Sequence, residues 1–223
     1  MFFHANLTTI FLFLASLILS SNHLISIALE SEVDDESLFT YTEGTGKGPN
    51  NWSQIDPHWK ACGHGKMQSP IDLLDRRVQV FPALGKLKRD YNAAPAVARN
   101  RGHDITVVWK GDAGEINING TKYKLQQCHW HAPSEHTFNG SRYELELHII
   151  HLSSSGEIAV VGIVYKYGHP DPFLSEVRTV SREQVAALRE AVHDGFEANA
   201  RPTQQSDSIA VEFYTPRENG GST

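Results

Sequence analysis

The chain has few cysteines, no block of basic residues and no internal repeat, and each absence narrows what it can be. Two cysteines, Cys62 and Cys128, allow at most one internal disulfide in 223 residues. A formal net charge of −6 at pH 7, with no cluster of Lys and Arg, removes the electrostatic reason to expect a nucleic-acid partner. Beyond the first thirty residues no apolar run approaches the roughly 20 residues that cross a bilayer, so no stable membrane span is expected. What remains is 40% hydrophobic and 21% charged, the profile of one soluble globular domain with a substantial core rather than two domains.

The first thirty residues differ from the rest. The apolar run Ile10–Leu19, followed by the small residues of Ser26-Ile27-Ala28, predicts a secretory signal peptide over residues 1–28, although no Lys or Arg precedes it. A signal anchor is the competing reading, and the run is short for one. Entry into the secretory pathway, with an extracellular destination, would make Asn51, Asn119 and Asn139 glycan acceptors, each being followed by the required Ser or Thr two residues on. Each sequon alone is weak. The two cysteines would then meet an oxidising compartment.

The folded domain is expected over residues 36–216, with a loose tail over 217–223. It reads as mostly β: residues 105–109, 114–118, 123–131, 143–152, 158–165 and 209–214 are rich in β-branched and aromatic side chains and lie between Gly, Asn and Ser turns. One helix is expected over 182–193. Ser181 and Gln184 have the spacing of a capping box, and Val185, Leu188 and Val192 form its apolar stripe.

Histidines mark the chemistry. In the run Gln127, Cys128, His129, Trp130, His131, an extended strand projects His129 and His131 from one face. Glu146 and His148 share a face in the same way on a later segment, whose other side is Leu145, Leu147 and Ile149. Three neutral imidazoles with an open fourth position are the pattern of a catalytic zinc (Zn2+), whereas a closed structural site takes a fourth protein ligand. Gln127 and Glu146 stand two residues from a histidine, where a side chain can accept the ligand's remote N–H. A lone His-x-His on a strand is equally an ordinary polar face. Cys128 points the other way and reads as a core thiol.

Four pieces together resemble the α-class carbonic anhydrases, in the form found in plants: the run Gln127–Thr137, the strand Glu144–His151, Gly65–Asp72, and Asn199–Gln204. The resemblance implies a central, largely antiparallel twisted sheet with short peripheral helices and a zinc enzyme, a carbonate dehydratase (a lyase), for the reversible hydration of carbon dioxide to bicarbonate and a proton. It implies zinc ligands His129, His131 and His148. Gln127, Glu146 and Asn199 match the residues that orient them, Asn199 through its backbone carbonyl. Tyr41 and Glu135 match a hydrogen-bond network around the reacting water, Ile150 and Val160 an apolar substrate pocket, and His103 a proton shuttle. Without the resemblance, His103 in its Gly-containing turn would read as surface. Plant relatives leave the plastid stroma as an alternative destination.

The chain departs from the family between Phe173–Val177 and Arg178–Arg182. The resemblance implies several tens of residues there, including an SLTTPPC-type segment that carries the threonine that accepts a hydrogen bond from zinc hydroxide and connects it to Glu135, part of the pocket wall, and a half-cystine partner for Cys62. Because that segment also contributes strands, its deletion near 177/178 is expected to leave the sheet incomplete, with exposed edges and apolar surface. The alternative function is therefore a catalytically impaired relative serving in binding, storage or regulation, or a non-functional splice product. Cys62 and Cys128 are not expected to bridge.

Overall fold

The computed structural model describes residues 36–81, 83, 85–169, 179–205 and 211–213. The expected signal peptide, the residues around the 177/178 junction and the tail lie outside these residues. Two short helices, α1 (Trp52–Ile55) and α2 (Ala61–His64), precede the first strands, and α3 (Arg182–Ala191) follows the main sheet. The strands are β1 (Asp72–Leu73), β2 (Val78–Val80), β3 (Lys88–Tyr91), β4 (Ala96–Asn100), β5 (Ile105–Trp109), β6 (Gly114–Ile118) and β7 (Thr121–His131). They continue with β8 (Thr137–Phe138), β9 (Ser141–Arg142), β10 (Leu145–Ser153), β11 (Ile158–Tyr167), β12 (Thr179–Val180) and β13 (Val211–Phe213).

The protein is mostly β, and its eight-stranded sheet runs β12-β11-β10-β7-β5-β4, with β6 bridging β7 and β3. Every pairing in it is antiparallel except β11 with β12. Turn chemistry sets part of the register. Asn119 and Gly120 both have positive φ, 51° and 88°, and join β6 to β7 with Ile118 opposite Thr121. Asn139 and Gly140, at 48° and 79°, do the same for β8 and β9. Two consecutive left-handed residues match the strand twist in a two-residue hairpin, and Asn-Gly tolerates them best. Two of the three sequons are thus hairpin turns in this fold.

The longer strands match the sequence pattern, with shifted ends. β7 begins at Thr121 rather than 123 because the Asn-Gly turn lets pairing start at once. β10 opens at Leu145 and β11 runs on to Tyr167, where β12 pairs with it. Helix α3 stops at Ala191 because Val192 turns to extended backbone (ψ 165°), so the predicted end at 193 is too long. Its capping box is formed: Ser181 Oγ accepts from Gln184 N at 3.1 Å and Ser181 N donates to Gln184 Oε1 at 3.0 Å. Strands β3 and β4 gave no signal, since their side chains are exposed on both faces and pairing alone makes them strands.

The core lies on the face of β7 and β10 built by Leu125, Cys128, Leu145, Leu147 and Ile149, closed by Tyr165 and Val185. Cys62 and Cys128 are free thiols, and burial pushes Cys128 up to about 12. On β11 the packing is unfinished. Ile158 and Val160 remain 55% and 52% exposed, although full burial of such side chains contributes about 1.5–3 kcal/mol each.

His151 is fully buried at 0% exposure on the core side of β10. Its Nε2 lies 2.9 Å from Tyr91 Oη and its Nδ1 3.3 Å from Ala159 O. The carbonyl can only accept, so Nδ1 carries the proton and Nε2 accepts from the phenol, which is the neutral tautomer. Burial lowers the His151 pKa below the usual 6.5. A depressed histidine stabilises the fold while neutral in both states and ceases to do so when the unfolded chain takes up a proton that the native one refuses. We expect the His151 contribution to be intact above about pH 6.5 and to shrink as pH falls below it. Urea unfolding of wild type and His151→Gln at several pH values checks this: the stability gap between them should narrow from pH 7 to pH 5.

Candidate metal centre

The site lies on the opposite face of the same two strands. His129 and His131 alternate with core residues along β7, and the β7–β10 register sets His148 directly opposite His129 and Glu146 opposite His131. The three rings pack edge to face or tilted, with centroids 5.0 Å (His129–His131), 5.3 Å (His129–His148) and 4.8 Å (His131–His148) apart. All three are at least nine-tenths buried. One nitrogen from each lies within 4.8 Å of the other two, a group that can hold a metal ion.

The remote nitrogens identify which atoms converge. His129 Nδ1 meets Gln127 Oε1 at 3.1 Å, and that oxygen also accepts from Thr106 Oγ1 at 3.2 Å. His131 Nδ1 donates to the backbone carbonyl of Asn199 at 2.7 Å. His148 Nε2 donates to Glu146 Oε1 at 2.9 Å. With acceptors on those atoms, the nitrogens turned inward are Nε2 of His129, Nε2 of His131 and Nδ1 of His148. Burial, reinforced by the neighbouring His131 and His148, holds His129 well below the usual histidine range and so favours the neutral ring that ligates metal.

Glu146 is fully buried and heavily used. Its Oε2 accepts from the backbone N–H groups of Glu135 and His136 at 2.8 and 2.9 Å. Its Oε1 accepts from His136 Nδ1 at 2.7 Å as well as from His148. Burial alone would raise this carboxyl, but the hydrogen bonds and charge of His136 and His148 outweigh it and hold it well below the carboxylate range. β11 leaves room for the arrangement through Gly162, which faces His148 across the ladder. A Cβ there would come within 3.1 Å of Glu146 Oε1.

Glu135 closes the cluster. Its Oε1 accepts from Arg201 N at 2.9 Å, while Oε2 sits 3.7 Å from His131 Nε2 and 4.0 Å from His148 Nδ1. Acceptor atoms of neutral imidazoles and a carboxylate oxygen turned toward one point repel one another unless a cation lies between them, so the donor set fits a divalent metal. Imidazole nitrogens with an open side suit zinc.

Other residues singled out in the sequence fall around this point. Ile150 and Val160 face each other across β10 and β11 on the metal side, but Val160 is half in solvent, so the wall they were expected to form is open. Tyr41 stands in an aromatic group with Phe39, Trp52 and Phe196, at centroid distances of 5.9, 5.4 and 6.2 Å. His103 joins the same group, 5.3 Å from Phe39, and is 7% exposed rather than on the surface that its Gly-containing turn suggested. Its Nε2 lies 3.8 Å from the Asp104 carboxylate. Asn119 is exposed, whereas Asn139 is held to Asp75 at both ends of its amide, by 3.0 and 2.9 Å hydrogen bonds. Asn51 ends a half-buried 3-10 turn.

Sequence reasoning missed Thr106, His136, Gly162 and Arg201. Thr106 fixes Gln127, and Arg201 ties the site to the loop before β1 through Gln68 Oε1 and Ser69 O at 3.0 and 2.9 Å and to α2 through Cys62 O at 2.7 Å. Asn199 was expected to act through its carbonyl alone. Its side chain also accepts from Ala132 N and donates to His103 O and Trp130 O, which braces the strand end that carries His131.

Residues 47–177 match the family of eukaryotic-type carbonic anhydrases. The chain is 43% identical to alpha carbonic anhydrase 4 of Arabidopsis thaliana over 264 aligned positions, spanning 95% of this chain and 98% of that protein. It is 49% identical to alpha carbonic anhydrase 6 of the same plant over 173 residues, 78% of this chain and 66% of the relative. Among solved structures, a dioscorin complexed with ascorbate superposes with a TM-score of 0.74 at 35% identity, covering 78% of this chain and 95% of that one.

Alanine at His129, His131 or His148 should abolish stoichiometric metal retention. Gln127→Ala and Glu146→Gln should weaken it by about 10- to 100-fold, the usual effect of removing a ligand's hydrogen-bond partner. Competition with a metal-chelating dye measures both. Normal affinity in any of the three histidine variants would show that the histidines do not form one site.

Proposed function

Because the chain belongs to the eukaryotic-type carbonic anhydrase family, we propose that it holds zinc at His129, His131 and His148 and there interconverts carbon dioxide and water with bicarbonate and a proton. The observation that carries this reading is the convergence of three buried imidazole nitrogens, with Glu135 Oε2 3.7 Å from one of them. Zinc, when bound, supplies the Lewis acidity that brings a water's pKa near neutrality, a property for which carbonic anhydrases as a class are the standard example. The protein's residues supply the rest. Gln127, Asn199 and Glu146 keep the three rings in the tautomers that direct an electron pair inward. Glu135, fixed by Arg201 N, presents Oε2 as an acceptor that orients the reacting hydroxyl group. Ile150 and Val160 offer an apolar face beside the site, where carbon dioxide rests without competing for polar groups.

His103 takes the proton in this reading. An imidazole suits the task because its ordinary pKa lies close to neutral pH. Its burial against Phe39 and Phe196 means that release to bulk water requires the ring to turn outward. In the same reading the leader directs the protein along the secretory route to the extracellular space, with the plastid stroma as the alternative.

A second reading, a carbonic-anhydrase-like protein with little turnover through an internal deletion after Val177, is favoured by the open wall at Val160. The family match stops at residue 177, and the alignment to alpha carbonic anhydrase 4 takes 264 positions against 223 residues here. Both observations support a missing segment at that point. The likeness to a dioscorin solved with ascorbate supports a binding role for such a form. The two readings share one metal centre and differ in rate.

We expect zinc-loaded protein to hydrate carbon dioxide at least about 10- to 150-fold more slowly than the same chain with a family-like segment inserted after Val177. That range corresponds to the loss of one hydrogen bond to a charged group, about 1.5–3 kcal/mol, felt wholly in the transition state. Stopped-flow hydration is the measurement, and equal rates would discard the second reading. Glycopeptide mapping should find occupancy at Asn119 above that at Asn139, whose amide must first leave Asp75.

A further inference from the structure

For most of its length β11 is the border of the main sheet. Its inner side pairs with β10 through Ile158–Tyr165, but on its outer side the described partner is β12, which meets it only at Lys166 and Tyr167. Among the described residues, then, no strand covers the outer backbone edge from Ile158 to Tyr165. That stretch reads Ile-Ala-Val-Val-Gly-Ile-Val-Tyr, longer than the usual strand of about five or six residues and without charge or proline. Natural edge strands avoid this composition, since it pairs readily with another strand. The side chains nearest the opening are bare as well, with Ile158 55% and Val160 52% exposed.

We propose that this edge is a self-association surface, on which two copies of the chain pair antiparallel along β11 about a two-fold axis and run their sheets into one. Charge favours one direction. The stretch is bounded by Glu157 and Lys166, so an antiparallel copy brings the acidic end of one strand within one residue of the basic end of the other, on opposite faces of the sheet, whereas a parallel copy would set like charge at the same end. A two-fold axis also makes one patch sufficient for both partners.

Register follows from the pleat. Residues opposed in an antiparallel pair share a face, so the axis must pass beside a residue. An axis at Gly162 would bring Lys166, already held by β12, opposite Ile158. An axis at Val161 uses residues 158–164 and stays clear of β12. Ile158 then faces Val164, while Val160 faces Gly162 and lies diagonal to Val160 and Val164 of the second copy, which are its apolar neighbours. Since Gly162 stands across from His148, the second copy continues the metal-side face of the sheet at the place where the wall is open.

Sedimentation velocity on the purified protein, diluted from micromolar to nanomolar, should show a dimer that dissociates. Val160→Lys, a change at an exposed side chain, should weaken self-association by about tenfold or more, because charged edge residues oppose strand pairing. In a Cys62→Ser background, Val161→Cys should form a disulfide-linked dimer on mild oxidation, since directly opposed residues bring their Cα atoms to about 4.5–5.5 Å. Ile118→Cys, on an exposed site of another strand, should not. A monomer at every concentration, as when residues 170–178 of the same chain cover the edge, overturns the proposal. So does a dimer that is indifferent to Val160→Lys and leaves Val161→Cys unlinked.

Discussion

Three imidazoles can be buried around one point only if each is neutral and each remote nitrogen has an acceptor of its own. Much of this structure follows from that requirement. Gln127 serves His129 from the same strand, Glu146 serves His148 from the same strand, and Asn199 serves His131 from a segment 68 residues away. The first two acceptors are set by strand parity, because positions two apart share a face. The third depends on the chain returning to the end of β7, which is why the Asn199 side chain is itself hydrogen-bonded to Ala132, His103 and Trp130.

Glu146 extends the constraint to the loop that carries Glu135. A buried carboxylate needs several donors to stay ionised, and here they are two backbone N–H groups and two imidazoles. Meeting that need pins Glu135 and His136 in place, so the carboxylate that orients one ligand also positions the one facing the metal point. Gly162 belongs to the same unit, since it keeps β11 close without touching the Glu146 oxygen.

The centre sits on β7 and β10, which have partners on both sides, whereas the apolar face beside it runs onto β11, whose outer partner among the described residues is two residues long. The histidine cluster and the apolar face beside it therefore depend on different parts of the sheet. The histidines keep their register on the inner strands while Val160 and Ile158 are half exposed on β11.

Local pattern in the sequence was enough to determine the long strands, the Ser181 cap, the separation of core from chemistry along β7 and β10, and the pairing of His129 and His148 with an acceptor two residues away, because period-two alternation and capping are short-range effects. The Asn-Gly pairs were legible as sequons but act in the fold as hairpin turns. Only the tertiary structure decided that His148 lies opposite His129, that Arg201 holds Glu135, that Thr106 and His136 complete the hydrogen bonding, and that His103 is buried rather than on the surface. The exposed strands β3 and β4 likewise exist through pairing alone. Ladder register, loop return and burial are set by contacts between residues far apart in the chain, and no window of sequence contains both partners.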